Sequence, residues 1–332
     1  MRWSRRSRVT AFALLGAAIL TVSGCSNAID AGTGGADAGP APTVKPKHGK
    51  LTFALVSHGT AGDPFWTSVK NGAEQAGRDL DVKVESQSSG DPQTQSQYID
   101  AATNQRVDGL IVSMANPDAL KPSIKRAEKS GIPVITINAG EDQSAKFGAL
   151  VHVGQNEVIA GQAAGRRLKS LGLHHVVCVI HEAGNTSLDQ RCNGAEQTFG
   201  GKMDRLQVDV NDLSSARSTM RSKLQEDHSI DGVLTLNPAV ATAAVAAKGT
   251  SKATIATFDV SADVIRDVQQ GKIAFAVDQQ PYLQGYLPVN FLYLYATNGD
   301  VVGGGKPVLT GPGFVTKANA AQVARYAQRG TR

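Results

Sequence analysis

Asp108-Gly109-Leu110-Ile111-Val112, followed one helix-length later by Ile132-Pro133-Val134-Ile135-Thr136-Ile137-Asn138, is the stretch that decides the fold. Both are short, unbroken apolar runs, the second mostly β-branched. Strands of a parallel sheet covered on both faces lose the polar alternation of a half-exposed sheet and read this way. The pair recurs as Asp231-Gly232-Val233-Leu234-Thr235 and Ala253-Thr254-Ile255-Ala256-Thr257-Phe258-Asp259 at nearly the same offset. The chain therefore contains two units on one plan, each ending an equivalent strand on Asn or Asp.

Working outward, the other strand-like runs are 51–56, 82–86, 176–180, 206–210 and 273–277, alternating with longer helical patterns. That alternation predicts parallel sheets with helices on both faces. About 280 residues of such material exceed one typical core and favour two lobes. The expected fold class is α/β, two doubly wound parallel-sheet lobes joined by a three-segment hinge. The lobes are expected at 50–153 plus 280–305 and at 154–279 plus 306–332. The aromatic stretch 282–297, after Pro281, is predicted to be a helix that crosses back to the first lobe, and the Gly- and Pro-rich stretch 306–315 to be the last crossing.

At the N-terminus, Arg2, Arg5, Arg6 and Arg8 precede an apolar run over 9–22 and then Ser23-Gly24-Cys25. The run is shorter than the roughly 20 residues a membrane-spanning helix needs, so 1–24 reads as a secretory signal. Val22-Ser23-Gly24-Cys25 resembles the lipobox of bacterial lipoproteins, which implies lipidation at Cys25 and an extracytoplasmic chain anchored to the cell membrane. Residues 25–49, rich in Gly, Ala, Pro and Thr, read as a flexible tether. The net charge of +5 falls to +1 once the four signal arginines are set aside. Without a long basic run in the folded part, nucleic acid is not an expected partner. Export also bears on Cys178 and Cys192, since disulfides persist outside the cytoplasm. They are expected to pair, closing a loop of about 15 residues at roughly 3 kcal/mol of stabilisation; two buried free thiols are the alternative. No metal site is expected, because adjacent His174 and His175 would point to opposite faces of a strand.

Polar and aromatic residues stand where strand-like runs end: 57–66, Ser113, Asn138, Asp189 to Arg191, Asn237 with Asp259, and Gln279. In open α/β sheets ligands sit beyond the carboxyl ends of the strands, so these stations predict one shared polar cleft. Asp63-Pro64 is a helix-start signature, with Asp as cap and Pro in the first turn. Phe65 and Trp66 follow it, as core rings or as ring-stacking faces toward a ligand. His58 either binds ligand or closes the turn. Asn138 and Asp259 occupy equivalent strand ends, where an amide and a carboxylate suit vicinal hydroxyls. A turn role for Asn138 and a helix cap for Asp259 are the alternatives.

Together these segments resemble the periplasmic sugar-binding proteins of ABC importers, in the ribose-binding branch of the type I fold. The resemblance spans nearly all of 50–319 and rests on Ser57-His58-Gly59 with Asp63-Pro64-Phe65-Trp66, Asp108-Gly109-Leu110-Ile111-Val112, Gly131-Ile132-Pro133-Val134, Thr257-Phe258-Asp259 and Asp278-Gln279-Gln280-Pro281-Tyr282. It implies a monomer that closes on a monosaccharide or polyol and docks on a membrane permease, with no cofactor and no catalysis. It also implies ligand contacts from the aromatics of 63–66, from Asn237, Gln279 and Asp259, more weakly from Ser113, and from either Asp189 or Arg191. The family's Asp-Arg pair is replaced by Asn138-Ala139 and the first loop is longer, which argues against ribose. A lipid-tethered sensor of the same fold is the alternative, and a secreted carbohydrate-active enzyme a weaker one, since no nucleophile elbow, zinc helix or phosphate loop is present. Gly303-Gly304-Gly305-Lys306 lacks phosphate-loop spacing and reads as a turn.

Overall fold

The structure is a computed structural model that describes residues 49–60 and 62–332. The signal segment, Cys25 and the tether up to residue 48 lie outside the described residues. Strands β1 (Thr52–Ser57), β2 (Lys83–Ser88), β3 (Gly109–Ser113), β4 (Val134–Ile137) and β5 (Val151–Gln155) alternate with helices α1 (Pro64–Asp79), α2 (Pro92–Gln105), α3 (Pro117–Lys129) and the short α4 (Glu141–Ser144). After α5 (Glu157–Ser170) the alternation repeats. It runs through β6 (His175–Ile180), α6 (Thr186–Phe199), β7 (Lys202–Gln207), α7 (Leu213–Glu226), β8 (Gly232–Thr235), α8 (Pro238–Ala247), β9 (Thr254–Phe258), α9 (Ala262–Gln269) and β10 (Ile273–Asp278). The chain closes with α10 (Pro281–Asn298), β11 (Val308–Gly311), β12 (Gly313–Val315) and α11 (Ala320–Gln328).

Two six-stranded sheets result, in the orders β2-β1-β3-β4-β5-β11 and β7-β6-β8-β9-β10-β12. Every pairing is parallel except β12 on β10. All residues of β3, β4, β6 and β8 are buried, as strands covered on both faces require. Each sheet separates two apolar clusters, so each lobe has its own core. Cys178 on β6 and Cys192 on α6 form a disulfide inside the second of these cores. Gly303–Gly305 is a single tight turn.

The internal repeat is structural. Asp108 accepts the Thr52 amide with its carboxylate at 2.9 Å, and Asp231 accepts the His174 and His175 amides at 2.8 and 2.9 Å, each tying the start of a central strand. Gly109 and Gly232 are small for one reason: a Cβ at either would come within 3 Å of packed side chains, Leu292 and Phe53 in one lobe, Val176 and Leu173 in the other.

Each crossing helix packs on the lobe it crosses into. α10 lies against α1, and α5 against α6. The contacts are backbone to backbone: a Cβ on Gly285 would sit 1.8 Å from the Val69 carbonyl, and one on Gly161 2.3 Å from the Arg191 carbonyl. Gly72 faces the Tyr282 carbonyl and Gly194 the Val158 carbonyl in the same manner.

Sheet membership moves the expected boundaries. Pairing of β5 and β11 keeps residues 151–155 and 308–311 in the first sheet, and only β12 belongs to the second. The crossings therefore fall at 155–157, 278–281 and 311–313, not at 153/154 and 305/306. The expected run 206–210 is replaced by β7 at 202–207. This edge strand pairs only with β6 and carries Lys202, Asp204 and Arg205, as exposed edges commonly do. β5, Val-His-Val-Gly-Gln, has no apolar run to announce it.

Candidate functional site

Helix capping and strand ends bring the site together between the two sheets. Asp63 caps α1, its Oδ1 accepting the Phe65 amide at 2.7 Å, with Pro64 in the first turn. Its other oxygen accepts from Asn237 Nδ2 of the opposite lobe at 3.0 Å. Asn237 caps α8 in turn, its Oδ1 accepting the Ala239 amide at 2.8 Å. Each residue thus spends one polar atom on its own helix and points the other across the cleft. Burial pushes the Asp63 carboxyl above its ordinary value, against the bonds from Phe65, Asn237 and Trp66.

Asn138 and Asp259 share an unusual backbone: both lie in the left-handed region, at φ 60° and 66°. In both, the amide donates to the neighbouring strand, Asn138 to the Val153 carbonyl at 3.2 Å and Asp259 to that of Val277 at 2.7 Å. Strain of this kind persists where the surroundings over-determine it. Asp259 does not cap α9, whose cap is Ser261. Gln279, fully buried at the second crossing, joins the two: Asn138 Nδ2 donates to Gln279 Oε1 at 3.1 Å, and Gln279 Nε2 to Asp259 Oδ1 at 2.7 Å. Gln280 beside it donates to the Thr310 carbonyl at 2.6 Å, serving the backbone of the third crossing.

Arg191 enters from α6 and is 3% exposed. It grips Glu157 bidentately at 2.6 and 2.9 Å, lies over the Phe258 ring at 5.0 Å, and brings Nη1 to 3.8 Å from Asp259 Oδ2. Burial works against its charge, yet Glu157, with Asp259 and Glu182 beyond it, holds the guanidinium above its usual range. Asp259 is pushed up to about 7 by burial, in spite of Arg191 and the Gln279 bond.

On the outer side, His58 Nδ1 and its backbone amide both meet Ser113 Oγ, at 2.8 and 2.9 Å. The imidazole stands edge-on to Trp66, centroids 4.7 Å apart, and Trp66 in turn to Phe65 at 5.1 Å. Gly59 permits this, because a Cβ there would sit 2.3 Å from the indole. Across the cleft, Glu182 Oε2 lies 3.9 Å from His58 Nε2. Burial lowers His58 despite Glu182, and takes the neighbouring His181 down to about 4.

Residues 53–300 match the family profile described as a periplasmic binding protein domain. The chain belongs to this family. A xylose/arabinose-binding protein of Sulfolobus acidocaldarius is 27% identical over 298 residues, 82% of this chain and 73% of that protein. A ribose import binding protein of Haemophilus influenzae is 26% identical over 238 residues, 69% and 80% of the two chains. The crystal structure of a carbohydrate transporter from Acidothermus cellulolyticus 11B, in complex with myo-inositol, is 44% identical with a TM-score of 0.84, covering 85% of this chain and all of that one.

In this periplasmic binding protein the cavity between the lobes is lined by nine of the eleven expected residues: His58, Asp63, Phe65, Trp66, Asn138, Arg191, Asn237, Asp259 and Gln279. Its volume is about 30 Å³, close to one water's share of the liquid, because the polar groups bond to one another. Two expected residues lie elsewhere. Ser113 stands behind His58 and orients it. Asp189 is exposed on α6, since buried positions 187, 188, 191, 194 and 195 set that helix's inner face and leave 189 outside it. His181, Glu182, Asn185 and Ser187 also line the cavity and were not anticipated. The repeat holds the missing signal: His58 directly follows β1 and His181 directly follows β6, while Asp63 and Asn185 cap the helices that come next. Carboxylates, amides and a guanidinium around one small space form a donor and acceptor set for an uncharged ligand rich in hydroxyls, with Trp66 as an apolar face.

Proposed function

We propose that the protein captures a monosaccharide or cyclic polyol between its lobes and delivers it to the permease of an ABC importer. Cys25 would carry the lipid that holds it at the outer face of the membrane. Asp63, Trp66 and Asn138 serve the ligand from one lobe, and Arg191, Asn237 and Asp259 from the other, with Gln279 at the crossing. The observation that carries this reading is the cross-lobe bonding of these groups: Asp63 to Asn237, and Asn138 through Gln279 to Asp259. A ring with several hydroxyls would replace those bonds with its own, and contacts split between lobes are what favour the closed state over the open.

The 44% identity to a protein crystallised with myo-inositol makes a cyclitol the first candidate. Replacement of the family's charged pair by Asn138-Ala139 supports a ligand other than ribose. A thermal-shift screen over inositols, pentoses, hexoses and linear polyols tests the proposal. One of these classes is expected to raise the unfolding temperature in a saturable way, with the ligand recovered unchanged. A screen with no hit, or chemical turnover of the hit, would overturn it.

A further inference from the structure

A second cavity, about 580 Å³, lies at the same cleft and is far larger than the inner one. Four residues line both: His58, His181, Glu182 and Asn185. The outer chamber is completed by Thr60, Gly90 and Asn116 from the first lobe and by residues 207–211 from the second. Gly90 follows β2, Gln207 ends β7, and 208–211 follow it. These are the edge strands farthest in each sheet from β11 and β12. The chamber therefore opens on the side of the cleft away from the hinge crossings, and both lobes wall it.

Its chemistry is selective. Thr60, Asn116, Asn185, Gln207, Asn211 and Ser215 offer hydroxyls and amides, Glu182 and Asp209 are acidic, and among the described residues no Lys or Arg lines it. An anionic group such as a phosphate or uronate would meet carboxylates without a counter-charge. At the partition between the two cavities, His181 is 7% exposed and its Nδ1 has no hydrogen-bond partner. A buried polar atom left unpaired is destabilising, and a ligand hydroxyl passing from one cavity to the other would satisfy it.

From this arrangement we infer that the site accepts a two-unit ligand, a polyol ring in the inner cavity carrying a second neutral, hydroxyl-rich ring in the outer chamber. The inference rests on the polyol reading above and extends it from a free ring to a glycoside. Because both lobes touch the second ring, it adds to the preference for the closed state.

Calorimetric titrations with myo-inositol against α-galactosyl-myo-inositol, and with D-galactose against melibiose, test it. In at least one pair the two-ring compound is expected to bind no more weakly than its single ring. Ala183→Trp, which fills the chamber from an exposed lining position, is expected to weaken that two-ring compound at least tenfold and to leave the single ring within threefold. Single-ring binding also reports that the variant folds. If a single ring binds and neither two-ring compound does, or if Ala183→Trp affects both members of a pair alike, the outer chamber has no such role. If none of the four compounds binds, this extension fails, while the polyol reading stands or falls with the thermal-shift screen.

Discussion

At the scale of single residues, the site is held by groups that do two jobs. Asp63 and Asn237 each cap a helix and still reach across the cleft, so the capping and binding readings of these residues are compatible. Asp259 carries the clearest electrostatic consequence. Its carboxyl titrates at about 7 in the folded protein against about 3.9 in an unfolded chain. Between those values the unfolded state releases a proton that the folded state keeps, so this residue's contribution to stability is complete below pH 4 and is lost as pH rises to 7. His58 and His181, lowered by burial, act with the opposite slope, favouring the folded state above their unfolded value and less as pH falls. Urea unfolding of the protein and of Asp259→Asn from pH 4 to 8 separates the two effects. The variant is expected to gain stability relative to the parent as pH rises through that window, and a constant difference would exclude the shift. Asn138, Asp259, Asn237 and Gln279 were legible because they end strands. Asp189 and Arg191 stay alternatives in the sequence because telling them apart depends on a helical register of two residues, and Glu157 gives no signal there because only the crossing of α5 brings it to Arg191.

At the scale of elements, the central strands are read directly from their apolar runs, and β4 and β9 fall where those runs lie. The edge and crossing strands are not, since β7 is charged on its open side and β5 owes its place to pairing with β4 and β11. The helix crossings depend on glycine for a reason no run reveals, namely carbonyls that leave no room for a methyl group. Gly285→Ala is expected to destabilise the fold by about 1–3 kcal/mol, the usual cost of overpacking, measured as a shift in the urea midpoint. No change would mean that α1 and α10 separate freely. The disulfide ties β6 to α6, the helix that presents Arg191. Cys178→Ser with Cys192→Ser is expected to cost about 3 kcal/mol of stability by the chain-entropy argument. A double variant as stable as the parent would show that the surrounding core already fixes α6.

At the scale of the whole molecule, two lobes on one plan place equivalent strand ends face to face, and the larger chamber of the cleft lies by the edge strands farthest from the three crossings. The repeat visible in the Asp-Gly motifs thus extends to the capping residues, the left-handed strand ends and the glycine contacts. Contacts to both lobes make a ligand's binding energy a closing force. The most direct test is a calorimetric titration of the ligand found by screening, myo-inositol first, into the protein and into Asp259→Ala and Trp66→Ala. One site per chain is predicted, weakened at least tenfold by each substitution while the unfolding transition of the free protein stays cooperative. Unchanged affinity in both variants would contradict the account.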